Sequence, residues 1–148
     1  MVFPTENNQH LSHLRGRQQT LLCICNCEQI LAIRKLLLEA FGYEVLTADG
    51  PESIDALVDQ PVDIVILDYR ATGTNGELLA IKTKMIQPMT PILMLVDDPA
   101  TVPESVAKLA HGVIQRDYSP VTLLEEIARI IHIDCGYSRN DVSARRMA

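Results

Sequence analysis

The sequence is short of positive charge. Thirteen Lys and Arg stand against nineteen Asp and Glu, a formal net charge of −6. A nucleic-acid binder needs a basic surface to neutralise phosphates, so no nucleic-acid partner is expected. Arg139, Arg145 and Arg146 near the C-terminus are too few to change this and read as a solvated tail. No apolar run approaches the roughly 18 residues that cross a bilayer. The opening MVFPTENNQHLSHLRGRQQ lacks the apolar core of a secretory signal. A cytoplasmic location with no membrane partner is the expectation. Cysteine is limited to Cys23, Cys25, Cys27 and Cys135, too few for a secreted disulfide scaffold. The chain also lacks a Gly-rich phosphate loop, a nucleophile elbow and a metal-binding His pair, so it does not read as an enzyme. His10, His13, His111 and His132 are scattered and read as surface positions.

What the chain has is core. Of its 148 residues, 47% are hydrophobic and 22% charged, enough for one domain with short tails. Residues 1–19 carry no periodicity and read as a mobile arm, residues 20–133 as the domain, and 134–148 as a tail. Thr20–Cys25 is a short apolar run, a buried strand. Glu28–Phe41 has apolar residues at 30, 33, 37 and 41, with 36 and 40 beside them, which is helical spacing. Gly42 is the stop. Tyr43–Thr47 alternates as a strand, and Pro51 and Glu52 open a helix. Val62–Leu67 is a strand. Thr74 and Glu77 form a capping box ahead of a helix to Ile86. Pro91–Val96 is a strand, and Thr101 with Glu104 caps a helix to about Ala110. Val113–Gln115 is a strand. Ser119-Pro120 caps a last helix with Leu124, Ile127 and Ile131 on one face.

Short unbroken apolar strands alternating with amphipathic helices predict an α/β fold. It is a three-layer α/β/α sandwich with a doubly wound five-stranded parallel sheet of order 2-1-3-4-5, the flavodoxin-like arrangement. Sites in such sheets lie beyond the carboxyl ends of the strands, where the strand order reverses between strands 1 and 3. Asp68 ends strand 3. A carboxylate in that crevice is expected to be solvated and well placed for chemistry.

Four stretches carry a resemblance to a known family. LLCICNCEQILAIRKLLLEAFGYEVLTADG, VDIVILDYRATGTNG, TPILMLV and GVIQRDYSPVTLLEEI resemble, in order and spacing, the receiver domain of two-component response regulators. The likeness covers about residues 19–133. It implies a signal-transduction module in a phosphorelay, a phosphoprotein whose acceptor aspartate takes a phosphoryl group from a histidine kinase or phosphotransfer protein. It also implies two further carboxylates that help to hold Mg²⁺, a lysine and a hydroxyl that contact the phosphoryl group, and an output face. Asp68 falls on the acceptor, Arg116 on the lysine position and Val96 on the switch Thr/Ser position. The acidic pair falls on Cys25 and Asn26, the strand-5 aromatic on Val113, and the two expected prolines on Thr72 and Asp117.

Those departures imply a degenerate receiver, or pseudo-receiver. Metal ligation would fall to Asp68, Asn26 and the backbone carbonyl of Arg70, a set that leaves Mg²⁺ weakly held or absent because Mg²⁺ wants hard oxygen ligands. Arg116 has the shape to fork onto Asp68 and fill the site. Asn26 reads first as a helix N-cap. Cys23, Cys25 and Cys27 alternate on one face and read first as core, with Cys25 a candidate for oxidation. Asp97 and Asp98 read first as solvated loop residues. The chain ends soon after the last helix, so a stand-alone module is expected. Output by protein contact would use the surface of residues 101–132, which would also support a homodimer. Three functions stay open: a phosphoacceptor, a phosphorylation-independent interaction module, and a thiol-based sensor through Cys25.

Overall fold

The computed structural model describes residues 18–55, 59–69, 76–116 and 119–132. The expected arm and tail fall almost wholly outside these. So do Arg70, Thr72, Thr74, Asp117, Cys135, His10 and His13. Five strands, β1 (Thr20–Ile24), β2 (Glu44–Ala48), β3 (Ile64–Asp68), β4 (Ile92–Val96) and β5 (Gly112–Gln115), form one parallel sheet of order β2-β1-β3-β4-β5. The helices are α1 (Glu28–Ala40), α2 (Pro51–Asp55), α3 (Gly76–Ile86), α4 (Glu104–Ala107) and α5 (Pro120–Ile131). The expected fold and strand order are therefore those observed.

Each of β1, β3 and β4 is buried along its whole length, which is why their sequences are unbroken apolar runs. Alternation along each strand divides the core in two. Leu21, Cys23, Ile64, Ile66, Leu93 and Leu95 face one side, where α1 and α5 cover them with Leu31, Leu38, Leu123 and Ile127. Leu22, Ile24, Val65, Leu67, Met94 and Val96 face the other, against Ile54 of α2, Leu79 of α3 and Val106 of α4.

Two helices depart from expectation. In α1 the buried positions are Leu31, Arg34 and Leu38, while Ile33, Leu36 and Phe41 are exposed. The inward stripe runs through Cys27, Ile30, Leu31, Leu37 and Leu38 with Arg34 among them, so of the expected positions 30 and 37 pack against the core and 33 and 41 do not. In the segment after β4, Thr101 caps nothing. Its hydroxyl donates to the Asp98 carbonyl at 2.7 Å. A 3₁₀ turn, Pro99–Thr101, precedes Pro103, and α4 is only four residues long. Proline at 99 and 103 fixes the backbone there and defers the helix start. By contrast Ser119 caps α5 as expected, accepting from the Thr122 amide at 3.2 Å.

The end of α1 sets the reach of β2. Gly42 sits at φ 94°. Its amide donates to the Glu39 carbonyl at 3.0 Å, and the Tyr43 amide to that of Leu38 at 3.3 Å. This is a Schellman closure, and it needs a left-handed residue. Gly42→Ala is expected to destabilise the domain by about 1 kcal/mol, read from urea midpoints with an unchanged m-value.

On α5, Arg129 forks onto Glu126 with contacts of 2.7 and 2.9 Å. That hydrogen bond holds the Glu126 carboxyl below its ordinary value of 4.5. A depressed carboxyl stabilises above its unfolded pKa, and the benefit is lost as pH falls through the folded value. Because the pair is half exposed, Glu126→Gln should cost no more than about 0.5 kcal/mol at neutral pH. Unfolding curves of the two proteins should converge as the pH drops below the carboxylate range.

Candidate functional site

The carboxyl edge of the sheet gathers the residues that matter. Asp68 is the last residue of β3 and lies beside Leu95 of β4. Cys25 follows β1, with its amide bonded to the Ala48 carbonyl at 3.1 Å. Arg116 follows β5, its amide donating to the Val96 carbonyl at 2.6 Å. Asp68 has the parity of Ile64 and Ile66, so it turns toward the face that α1 covers. There it meets Cys25, which shares the parity of Cys23, and Arg34, which lies in the buried stripe of α1.

The Asp68 carboxylate is not solvated as the sequence leads one to expect. Its side chain is only 1% exposed, enclosed by Arg116, Arg34 and Cys25. Both oxygens are engaged. Oδ1 forms a close ion pair with Arg116 Nη1. Oδ2 accepts from the Cys25 thiol at 3.1 Å and faces Arg34 Nη1 at 3.9 Å. Arg116 is the hub. Its Nη2 donates to the Tyr69 carbonyl at 2.8 Å and its Nε to Asp97 Oδ1 at 2.6 Å. The expected fork onto one carboxylate is thus replaced by a clamp over three acceptors, since Asp97 and Tyr69 present oxygens on either side. Tyr69 is itself buried against Gly76, where an added Cβ would lie 2.5 Å from its ring. The absence of a side chain at 76 therefore holds the clamped carbonyl in place.

Other expected residues lie differently. Asn26 is exposed and does not cap α1. The N-cap is Cys27, whose extended backbone carbonyl takes the first helical bond from Leu31 at 3.0 Å, with no side-chain cap. Val96 is 1% exposed and packs in the opposite core, so its side chain does not share the face to which Asp68 turns. Asp98 caps the 3₁₀ turn through the Ala100 amide at 3.0 Å. Asp97 is an exposed loop residue, as expected, and also pairs with Arg116. The three described cysteines are free, and Cys23 and Cys25 are core residues. Burial pushes the Cys23 thiol up to about 12, with Arg34 drawing it back, so this thiol stays protonated at neutral pH. Arg34 was not evident from motif spacing. Its signal was a charge three residues after Leu31 and four before Leu38, on the face that those leucines bury.

This site does not suit Mg²⁺. The position near Oδ2 holds a thiol that donates and a guanidinium, neither of them a hard oxygen ligand. Asn26 points its residue out to solvent exposure, and among the described residues no group of three His, Cys, Asp or Glu is placed to hold a metal.

Comparison with known proteins supports the fold reading. No protein-family model matches the chain. The transcriptional regulatory proteins GlrR of Escherichia coli K12 and QseF of Escherichia coli O157:H7 are each 31% identical over 102 residues, 68% of this chain and 23% of theirs. The chain thus spans less than a quarter of the length of these relatives. A response regulator receiver domain (CheY-like) from Methanospirillum hungatei superposes with TM-score 0.68 at 20% identity, covering 79% of this chain and 96% of the other. CheY4 of Vibrio cholerae gives 0.67 at 24%, covering 76% and 98%. The chain has the CheY-like receiver fold of these structures, and over 102 residues its sequence is similar to the two regulatory proteins. TrrA of Thermotoga maritima, determined in complex with Mg²⁺–BeF, has the same fold at TM-score 0.67 and 20% identity, covering 76% of this chain and 99% of the other. Among the described residues of this receiver, no helix is long and apolar enough to cross a membrane.

In an acidic receiver pocket, removing one carboxylate relieves like-charge repulsion. Here it removes the carboxylate that two guanidinium groups share, one of them buried. Asp68→Asn is expected to destabilise this receiver by about 3 kcal/mol, measured by urea unfolding. A stabilised Asp68→Asn protein would show that the carboxylate is not held by these arginines.

Proposed function

We propose that this receiver acts as a phosphorylation-independent interaction module, a pseudo-receiver, in a two-component signalling pathway. The observation that carries the reading is the double engagement of Asp68. A nucleophilic carboxylate must present a lone pair to an incoming phosphorus atom. Asp68 is buried and has one oxygen against Arg116 and the other bonded by Cys25 and faced by Arg34. Attack would require breaking an ion pair and a hydrogen bond. The position that carries a switch hydroxyl in the resembled family is a valine buried in the opposite core. A phosphoryl group would therefore lack the contact that converts modification into a change of surface.

In this reading the partner is a protein, a kinase, phosphotransfer protein or downstream effector of the same pathway, and the contact is constitutive. The surface of residues 101–132 is proposed as the contact face, for partner or for a second copy. It presents Val113 and Val121 as exposed apolar side chains amid charged neighbours, the composition of a modest, reversible interface.

The test is labelling. The chain is incubated with acetyl phosphate and Mg²⁺, and its intact mass is followed. No phosphoryl adduct is expected on the wild-type protein. An adduct that maps to Asp68 and vanishes in Asp68→Asn would establish the phosphoacceptor reading in its place.

A further inference from the structure

In the resembled family, three carboxylates balance one Mg²⁺ and one lysine. Here two carboxylates, Asp68 and Asp97, face two guanidinium groups, Arg34 and Arg116. The two positions that would supply the missing acids hold the neutral Cys25 and Asn26. Arg34 is the addition that completes the exchange. It is 7% exposed, between Leu31 and Leu38 on the buried stripe of α1. Arginine enters such a stripe only when its charge is met. Its Nη1 stands 3.9 Å from Asp68 Oδ2, the oxygen that also takes the Cys25 thiol hydrogen.

We infer that Arg34 is the built-in counter-cation of Asp68, taking over the charge neutralisation that a divalent metal supplies in metal-dependent receivers. The inference rests on the pseudo-receiver reading but concerns a different property, the site's blindness to cations. A divalent ion at Asp68 would face the like charge of Arg34 across a few ångströms of poorly solvated space. Repulsion there is much less screened than in water. It would also have to displace the Cys25 thiol. Arg34 stands on the inward face of α1 among Leu31, Leu37 and Leu38, while Ile33 and Leu36 are exposed.

The experiment is a titration of the full chain with Mn²⁺, read as paramagnetic broadening of backbone amides in two-dimensional NMR. Wild type and Arg34→Lys, which keeps the charge, are expected to show no saturable broadening at Cys25, Asp68 or Arg116. Restoring acids with Cys25→Asp and Asn26→Asp gives a background in which Arg34 is tested directly. Replacing Arg34 by Met in that background should tighten Mn²⁺ binding by at least about tenfold. Arg34→Gln is the second replacement where Met packs badly. Saturable broadening at Asp68 in the wild type would overturn the inference, as would equal Mn²⁺ affinity with and without Arg34. The wild-type arm requires no variant to fold. The two readings separate cleanly. Labelling of Asp68 by acetyl phosphate in metal-free buffer would overturn the pseudo-receiver and leave Arg34 as counter-cation. Mn²⁺ binding at wild-type Asp68 without labelling would do the reverse.

Discussion

A carboxylate buried at the end of a central strand must be neutralised, and the carboxyl edge of this protein is organised around doing so. The Asp68 side chain is buried, and its charge is met by Arg116 on one oxygen and by Arg34 and the Cys25 thiol on the other. Buried ion pairs seldom add much net stability over a well-packed apolar site, yet they punish the loss of one member severely. The cluster therefore fixes the arrangement of four separate elements, the ends of β1, β3 and β5 and the middle of α1. None of these elements can shift alone without leaving a charge unmet.

Arg116 extends that constraint outward. By holding the Tyr69 carbonyl and Asp97 together with Asp68, it ties the loops after β3 and β4 to the end of β5. In a switching receiver those loops would need two arrangements of similar energy. Here Arg116 holds Asp68, Tyr69 and Asp97 together, and Val96, in the opposite core, carries no hydroxyl. On the proposed pseudo-receiver reading, these contacts are what would hold the edge in a single state.

Much of the fold was legible in the residues. The continuous apolar strands, Gly42 at the end of α1 and the Ser119-Pro120 cap each act through local chemistry, and each appears where the pattern placed it. The pairing of Asp68 with Arg116 was legible through the spacing of the resembled family. Arg34 was not, because motif reading looks for acids where acids are usual and passes over a cation on a helix. The apolar spacing of α1 was legible only in part: Ile30 and Leu37 pack against the core with Leu31 and Leu38, while Ile33 and Leu36, which also fit a helical period, are exposed. The short α4 shows the opposite case, where Pro103 outweighed a capping pattern at Thr101 and Glu104.

The sequence by itself determined the layers, the strand order and the strand end at which Asp68 stands, since these follow from hydrophobic period, turn residues and the handedness of crossovers. Only the tertiary structure decided the state of that aspartate. Burial and the meeting of residues 34, 68 and 116 depend on how elements far apart in the chain pack against each other. No local pattern encodes a distance of that kind. The electrostatic need to cancel a buried charge is what selected the arrangement.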